Sequence, residues 1–217
     1  MKADLHLHTK YSDDGWSPAA KVVRQCKRRG FGCIAITDHN SFAAYAEVKD
    51  DPDIIIIPAE EVSSSEGHII ALGIDREIPK GMGVKETIDS IHEAGGIAIA
   101  AHPYRWWSGL GRKNVIPEFD GIEAKNSKST PGANYRSKKL AQSFGKMVTA
   151  GSDAHNRFAA GWAYVVISDD CKTWQDVIEE IKAGRVEVRG ISRYIIGTVY
   201  YVLHSVFAWM FRGFRKM

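Results

Sequence analysis

Two histidines separated by one residue stand beside an aspartate near the start of the chain, in the segment ADLHLHT. In an extended strand alternate side chains share a face, so His6 and His8 point to the same side and Asp4 lies on that side with them. A strand with this spacing offers two imidazoles to a metal ion. The polar face of a half-buried strand gives the same pattern, so the metal interpretation depends on whether further ligands follow.

Further residues of metal-ligand type do follow, and most of them stand where an apolar strand ends. They are His39 after CIAIT, Glu61 at the end of IIIIPAEE, His102 after IAIAA, and Asp153 and His155 after MVTA. Barrels and open parallel sheets place their sites at the carboxyl ends of strands. His68 is the exception, because it opens the run HIIALG and must reach the site from a turn or from the beginning of a strand. Histidines and carboxylates together form a donor set that zinc and manganese accept.

Short apolar runs alternate with helical stretches along the chain. SPAAKVVRQCKRRG predicts a helix capped by Ser17, with Pro18 at its first position and Gly30 at its end. VKETIDSIHEAGG, residues from about 134 to 143, and TWQDVIEEIKAG predict further helices. Repeated strand and helix units build a parallel sheet, closed or doubly wound, so the pattern predicts an α/β fold.

Length and composition fit one globular enzyme domain, since 217 residues with 44% hydrophobic content can bury one sizeable core. The net charge of +3 is uneven: residues 185–217 hold six basic residues against Glu187 alone, which leaves −2 for residues 1–184 and argues against a generic polyanion binder. Three cysteines without a metal-binding spacing suit a reducing compartment. A first strand from about Ala3 leaves no room for a signal peptide, so we expect a cytoplasmic protein.

The ordered motifs DLHLHT, YSDDG, TDHN, PAEEVS, GHIIALG, AHP and GSDAH resemble those of the polymerase and histidinol phosphatase (PHP) family of phosphoesterases, across residues 2 to about 185. The resemblance implies a distorted (β/α)7 TIM-like barrel of the PHP type, with two or three divalent metal ions at the strand ends. Under this interpretation residues 1–190 form the PHP domain. Residues 191–217 remain as a separate C-terminal segment.

The resemblance assigns metal-ligand roles to nine residues. One ion would be held by His6, His8, Glu61 and Asp153, a second would share Glu61 and add His68 and His102, and a third would use Asp13, His39 and His155. The family usually reads Ser-Asp-Gly where this chain has Ser-Asp-Asp-Gly, so Asp14 competes with Asp13, and the distance to Ser17 favours Asp13. Asp4 and Asp38 are expected to orient ligand histidines. Histidine-rich ligands favour zinc, iron or manganese over magnesium.

Clustered divalent ions activate water and bind the oxygens of a phosphate ester. The expected reaction is therefore in-line hydrolysis of a phosphomonoester or a terminal phosphodiester, without a covalent intermediate. Glu61 and Asp153 serve this reaction through the ions they bind, and Glu61 is expected to bridge two of them. Either water or His39 protonates the departing oxygen.

The loop after His102 reads YRWWSGLGRK, and we interpret Tyr104, Arg105 and Trp106 as substrate-binding residues. Aromatic faces stack on bases and arginines pair with phosphates, which favours a nucleotide or a single-stranded end; the alternative is that the tryptophans pack against the barrel. We expect a nucleotidase or a 5′-to-3′ exonuclease acting on short nucleic acids, with a histidinol-phosphate or other small-metabolite phosphatase as runner-up. A non-catalytic PHP scaffold and a metal-dependent amidohydrolase are the remaining alternatives.

Residues 194–211 carry no formal charge and are followed by a basic tail that ends the chain. On a helix they would form one mildly polar stripe and one aliphatic stripe, and they fall just short of the length that spans a bilayer. The segment therefore predicts an amphipathic helix that docks on the barrel or on a second copy of the chain. Peripheral contact with a membrane is the alternative.

Overall fold

The structure, a computed structural model, describes residues 1–192, and the segment predicted as a C-terminal amphipathic helix lies outside them. Strands and helices alternate along most of this part of the chain. They are β1 (Lys2–Leu7), α1 (Ala19–Arg28), β2 (Phe31–Ile36), α2 (Ala43–Val48), β3 (Ile55–Ile57), β4 (Ala59–Ser63), β5 (His68–Leu72), α3 (Val84–Glu93), β6 (Ile97–Ala100), α4 (Gly111–Asn114), β7 (Gly121–Asn126), α5 (Pro131–Phe144), β8 (Met147–Gly151), β9 (Ala163–Val166), α6 (Trp174–Lys182) and β10 (Glu187–Gly190).

Within residues 1–192 the hydrogen-bonded strands form two five-stranded sheets. The first sheet has the order β10-β9-β1-β2-β3, in which β9 is antiparallel to both neighbours and the other pairs are parallel. The second has the order β4-β5-β6-β7-β8, with β4, β5 and β6 antiparallel and β6, β7 and β8 parallel. The predicted α/β class is confirmed, but the wholly parallel sheet is wrong.

The antiparallel pairing of β4 and β5 follows from their short connection. Residues 64–67 close a tight turn in which Ser64 N donates to Gly67 O at 3.0 Å, whereas a parallel crossover needs a dozen residues or more. Antiparallel pairing brings the first residue of β5 beside the last residue of β4, so His68 pairs with Ser63. His68 therefore reaches the edge where the other strands end, although it begins its own strand.

Alternate residues of the strands face two different hydrophobic layers. In β2, Cys33 and Ala35 face a buried cluster to which both sheets and α6 contribute, while Ile34 and Ile36 pack in a cluster with α1. Residues of β5 alternate in the same way between the shared cluster and one that includes α3. The two sheets thus share one core, and helices cover their outer faces.

The helix boundaries follow local capping chemistry, with one correction. Thr173 accepts a hydrogen bond from Asp176 N at 3.2 Å, which caps the predicted amphipathic helix α6. In α1 the N-cap is Pro18, and Ser17 does not cap the helix because its hydroxyl accepts from Arg157 N at 3.1 Å instead. None of the helices in the described part of the chain combines the length and apolarity that a bilayer crossing requires.

The two sheets meet at one end, where strand termini come together. Two isolated parallel bridges join them there, Leu7–Ala154 and His39–Glu61. The approach of β8 to β1 requires a glycine, because a Cβ on Gly151 would lie 2.1 Å from Cβ of His6. Asp153 N then donates to His6 O at 2.7 Å. The ends of β1, β2, β4 and β8 are therefore held around one small volume.

Glu60 is a fully buried carboxylic acid in β4, on the opposite face from Glu61. Its Oε1 accepts from Ile78 N at 2.6 Å, and its Oε2 has no hydrogen-bond partner within residues 1–192. Burial raises the pKa of Glu60 from 4.5 to about 8. The folded protein therefore retains this proton over a pH range in which the unfolded chain has lost it.

We expect the contribution of Glu60 to the free energy of unfolding to fall as the pH rises from about 4.5 to about 8, by up to about 1.4 kcal/mol per pH unit. Glu60→Gln removes this dependence, so the variant gains stability relative to the wild type across that window. Urea unfolding at pH 5, 6, 7 and 8 measures the difference, with the exposed Glu187→Gln as control. A difference that does not change with pH would contradict the expectation.

Candidate metal centre

The imidazoles of His6 and His8 meet at the end of β1, with their Nε2 atoms 3.1 Å apart. Oε2 of Glu61 lies 3.1 Å from the first of these nitrogens and 3.3 Å from the second. All three side chains are buried. The two histidines share a face, as their spacing predicts, and a carboxylate from β4 closes the group.

The other ring nitrogens determine which atoms carry the protons. Nδ1 of His6 lies 2.9 Å from Glu123 Oε1, to which it donates. Nδ1 of His8 lies 3.0 Å from Ser12 Oγ, and this hydroxyl already donates its only proton to Asp38 at 2.7 Å, so the ring is again the donor. When the rings are neutral, both Nε2 atoms present lone pairs to the same point, which is the arrangement that a metal ion requires.

Glu61 lies at the centre of the cluster, because its two oxygens face different sets of histidines. Oε2 faces His6, His8 and, at 3.3 Å, Nδ1 of His39, whereas Oε1 faces Nδ1 of His68 at 3.0 Å and Nε2 of His102 at 2.9 Å. Burial alone would raise its pKa, but the surrounding histidines hold the pKa of Glu61 well below its usual range. A carboxylate in this position can bridge two ions.

Asp153 and His102 form the far side of the cluster. Asp153 Oδ1 lies 3.5 Å from Nε2 of His8, and Asp153 Oδ2 lies 4.0 Å from Nε2 of His102. Both residues adopt left-handed backbone conformations, with φ values of 53° and 27°, and Asn40 next to His39 does so with φ 50°. Such conformations cost non-glycine residues roughly 1 kcal/mol or more and cluster at functional sites.

In the third predicted group the structure places Asp14, the competing candidate, beside the histidines, rather than the favoured Asp13. Asp14 Oδ2 lies 2.7 Å from Nε2 of His155, and Asp14 Oδ1 lies 3.9 Å from Nε2 of His39, whereas Asp13 is exposed. Gly15 N donates to Ser12 O at 2.9 Å, so both aspartates occupy the middle of one tight turn. Only the fold of that turn decides which of the two carboxylates faces the histidines.

The donor set fits divalent cations on three counts. Ligand atoms lie within 4.8 Å of one another in the groups His8-His39-His155, His6-His8-Glu61, His6-His102-Asp153 and His39-Glu61-His68. The buried Oδ1 of Asp14 and Nδ1 of His39 have no hydrogen-bond partner among residues 1–192. Burial, together with nearby cations, lowers the pKa of His102 and His155 to about 4, so both rings are neutral at physiological pH and able to bind a metal.

Asp38 and Asp4 support the site in different ways. Asp38 accepts a hydrogen bond from Ser12 Oγ, and Ser12 Oγ in turn accepts one from Nδ1 of His8. Asp38 therefore orients the His8 ring through the Ser12 hydroxyl. Asp4 accepts three backbone hydrogen bonds instead, from Ser152 N at 2.9 Å, from Gly161 N at 2.7 Å and from His6 N at 3.3 Å. Asp4 therefore supports the site through the backbone, including that of the candidate ligand His6.

Glu123 is a buried residue within β7 that sequence reasoning missed. Its carboxylate accepts a hydrogen bond from Nδ1 of His6 and another from His102 N at 2.8 Å. One carboxylate thus positions two of the candidate ligands. Asn126 Nδ2 donates to both Glu123 oxygens, at 3.1 and 3.2 Å. GIEAKN is itself the strand, so Glu123 lacks the position after an apolar run that marks Asp153 and His102, and the sequence offered only a carboxylate inside a predicted strand.

Two nearly buried cations flank Asp153. Arg105 donates to Asp153 and, at 2.8 Å, to Asn126 Oδ1, while Lys128 Nζ lies 3.2 Å from Asp153 Oδ1 and 2.6 Å from Nδ1 of His155. Their side chains are only 9% and 8% exposed. Against the effect of burial, these charges hold the pKa of Asp153 well below its usual range. Arg105 was predicted to bind substrate, whereas Lys128 was missed.

The aromatic residues of the loop after His102 divide into two kinds. Tyr104 is half-buried, belongs to the hydrophobic layer around α3, and lies 4.0 Å beneath the guanidinium of Arg136. Trp106 is 94% exposed and Trp107 is 54% exposed. The alternative in which the tryptophans pack against the body of the protein therefore does not describe Trp106.

Comparison with known proteins identifies the family. Residues 4–104 match the model of the PHP domain, and residues 131–186 match a model described as PHP-associated. An uncharacterised protein of Methanocaldococcus jannaschii is 37% identical over 58% of this chain and 82% of its own length. A 5′-3′ exoribonuclease of Haemophilus influenzae is 34% identical over 74% of this chain and 92% of its own length.

The fold agrees with the sequence match. A crystal structure of a two-domain protein from Bacteroides vulgatus, described as containing a predicted PHP-like metal-dependent phosphoesterase, superimposes with a TM-score of 0.72 at 16% identity. The match covers 88% of this chain and 65% of that chain. The chain belongs to the PHP family of metal-dependent phosphoesterases.

The neighbouring aspartates provide a matched test of the third group. Asp14→Asn removes a charge that faces His155 and His39, so we expect it to lower the number of tightly bound metal ions by about one and to reduce turnover at least tenfold. Asp13→Asn makes the same chemical change at the exposed neighbour and should do neither. Metal analysis after gel filtration and phosphatase assays compare the two. An equal effect of both substitutions would refute the reassignment.

Glu123→Gln should weaken metal binding without removing a ligand. The glutamine amide no longer enforces a proton on Nδ1 of His6, so Nε2 is no longer held as the lone-pair atom. Loss of such a partner costs about 10- to 100-fold in metal affinity or activity. Competition with a chromogenic chelator measures the affinity, and Glu118→Gln on the exposed surface is the control. Unchanged affinity would exclude this role for Glu123.

Proposed function

We propose that the protein hydrolyses phosphate esters at the 5′ ends of short nucleic acids or of nucleotides. The observation that carries the proposal is the pairing of the ligand cluster with two cations, Arg105 and Lys128, which both contact Asp153. Arginine and lysine beside a metal-ligand cluster supply the charge that phosphoryl oxygens need. The complete set of candidate ligands argues against a non-catalytic scaffold.

The chain's own residues divide the work of hydrolysis. The ions would be held by three groups of candidate ligands: His6, His8, Glu61 and Asp153; His68 and His102; and Asp14, His39 and His155. When bound, the ions supply an activated water and neutralise the charge of the phosphate. Arg105 and Lys128 orient the phosphoryl group by contacting its free oxygens. Burial holds the pKa of His39 well below its usual range, so its neutral ring suits a ligand, and water is the better proton source for the departing oxygen.

Three features favour a nucleic-acid end over a small metabolite. Trp106 is exposed beside Arg105, which places a stacking surface next to a phosphate-binding cation. Trp107 adds a second exposed ring to the same loop. The Haemophilus influenzae relative, which this chain matches over most of its length, is named a 5′-3′ exoribonuclease.

The same proposal covers the arrangement of the chain. We assign residues 1–190 to the catalytic PHP domain and regard the two sheets, joined by the bridges at Leu7 and His39, as the family's distorted barrel. Residues 191–217 are proposed as the amphipathic helix that docks on this domain or on a second copy of it. The buried free thiols of Cys26, Cys33 and Cys171 fit a protein that works in the cytoplasm.

A 5′-phosphorylated RNA 12-mer tests the proposal most directly. With manganese, zinc or iron added to the chelator-treated protein, we expect mononucleotides to be released from the 5′ end. Glu61→Gln should reduce this rate at least a thousandfold, because the carboxylate charge that would hold the ions is lost while the shape is kept. Glu60→Gln makes the same substitution one residue away on the opposite face of β4 and should keep near wild-type rates.

The products and the metal content distinguish the alternatives. Release of inorganic phosphate from histidinol phosphate or other small esters, without any mononucleotide from the 12-mer, would refute the nucleic-acid assignment in favour of a metabolite phosphatase. Hydrolysis of amides or lactones rather than phosphate esters would indicate an amidohydrolase. A protein that contains well under one equivalent of metal and cleaves nothing would be a scaffold.

A further inference from the structure

A basic groove lies on the surface of α1, outside the ligand cluster. It has a volume of about 170 Å³ and is lined by Lys21, Arg24, Gln25, Arg28 and Arg157. Three of the four cations recur at helical spacing, so they form one stripe along α1 that spans about 10 Å. We refer to these four cations and Gln25 as the α1 groove.

In the described part of the chain the cations of the α1 groove are not held in ion pairs, although Arg24 also lines the adjacent groove that contains Glu47, Asp50 and Asp51. Within residues 1–192, Lys21, Arg24, Arg28 and Arg157 form no ion pair. Lys27 on the same helix is different, because it contacts Asp51 at 3.0 Å and Asp53 at 2.9 Å. Residues 1–184 carry a net charge of −2, so the α1 groove is a local cluster of four cations on a part of the chain that is negative in sum.

The α1 groove is connected to the candidate metal centre by a short stretch of backbone. Arg157 follows the candidate ligand His155 by two residues, and its N–H donates to Ser17 Oγ at 3.1 Å. Trp16 N donates to His155 O at 3.0 Å, so the segment that carries Asp14 lies against the segment that carries His155. The groove therefore begins at the edge of the site that Asp14 and His155 form.

Two exposed aromatic rings stand at this junction. Trp16 is 68% exposed, and Phe158 is 62% exposed with the guanidinium of Arg157 lying 4.5 Å from its ring centre. Aromatic faces followed by a track of unpaired cations form the pattern by which proteins bind single-stranded nucleic acid without reading its sequence. An exposed aromatic pair without a basic track would suggest a protein partner instead.

We propose that the α1 groove binds the backbone of a single-stranded nucleic-acid substrate beyond the nucleotide that is cleaved. The strand leaves the metal centre at the Asp14 and His155 edge, stacks bases on Trp16 and Phe158, and places successive phosphates against Arg157, Lys21, Arg24 and Arg28. This inference rests on the proposed function and extends it, because it assigns the enzyme to oligomers rather than to free nucleotides. Continuity with the candidate metal centre favours a substrate strand over a lipid surface.

A charge-neutralised variant tests the α1 groove without touching the metal centre. In the full chain we replace Lys21, Arg24 and Arg28 together by glutamine, and we compare it with a control that loses the same charge elsewhere, Lys85→Gln with Lys172→Gln and Lys182→Gln. The substrates are a 5′-phosphorylated 12-mer, a 5′-phosphorylated dinucleotide too short to reach along α1, and p-nitrophenyl phosphate. Circular dichroism and metal content verify that each variant is folded and loaded.

We expect the groove variant to raise KM for the 12-mer at least tenfold while kcat stays within twofold. Its kcat/KM for the dinucleotide and for p-nitrophenyl phosphate should stay within twofold of the wild type. Because each lost phosphate contact reduces the slope of log KM against log salt by about 0.7, the slope should fall by about 2. The control variant should leave all of these values unchanged within twofold.

Binding separates failure of this inference from failure of the proposed function. Fluorescence anisotropy of the labelled 12-mer, measured with Glu61→Gln protein, reports the groove whether or not hydrolysis occurs. Wild-type cleavage of the 12-mer with equal affinity and salt slope in the groove variant would overturn the groove and leave the function intact. Binding that depends on the groove only for vesicles containing phosphatidylserine, and not for the 12-mer, would identify a lipid surface and overturn the proposal.

Discussion

The structure depends on a concentration of buried negative charge and lone pairs that needs a cation. Nε2 of His6, Nε2 of His8 and Oε2 of Glu61 lie within 3.3 Å of one another, and Glu123 and Asp153 stand close behind them. Burying carboxylates costs several kcal/mol each unless positive charge compensates them. Although burial alone would lower it, Glu61, Glu123 and Asp153 raise the pKa of His6 well above its usual range. The field that attracts a proton to this ring attracts a divalent cation more strongly, so folding and metal binding are coupled.

The rest of the fold keeps these groups together at some expense in stability. Gly151 allows β8 to approach β1, and Asp153 and His102 accept left-handed backbone conformations so that their side chains face the cluster. The compensating free energy comes from the core that both sheets share and from the helices packed on their outer faces. Strain is therefore located at the strand ends, while the strand interiors are regular and apolar.

Charge is arranged in zones around the cluster. Neutral rings such as His102 and His155 lie among the carboxylates, and the cations Arg105 and Lys128 stand at the margin on Asp153. Exposed aromatic rings follow farther out on the His102 loop and beside Arg157. This order suits the proposed nucleic-acid substrate, because a phosphate needs positive charge close to it and bases need flat apolar surfaces farther out.

The sequence by itself determined the types of residues at the strand ends and therefore the chemistry. His6 and Glu61 lie within segments that local β propensity makes into strands, and Asp153 follows such a segment. Thr173 marks the start of α6 through its capping hydrogen bond. Local patterns suffice for these features because they involve neighbouring residues. The short turn before β5 already indicates that β5 runs antiparallel to β4, although the sequence pattern was interpreted as a parallel sheet.

Only the tertiary structure decided which side chains meet. His6 contacts Glu123, which is 117 residues away in sequence. Asp4 accepts a hydrogen bond from Ser152 N, which is 148 residues away in sequence. The choice of Asp14 over Asp13 depends on a turn whose orientation is set by Ser12 and Asp38. The spacing of residues within one strand or helix indicates which of them share a face. It carries no information on the distance in space between two elements that are far apart in sequence. That distance arises from packing, because the shared core and the bridges between the two sheets fix it.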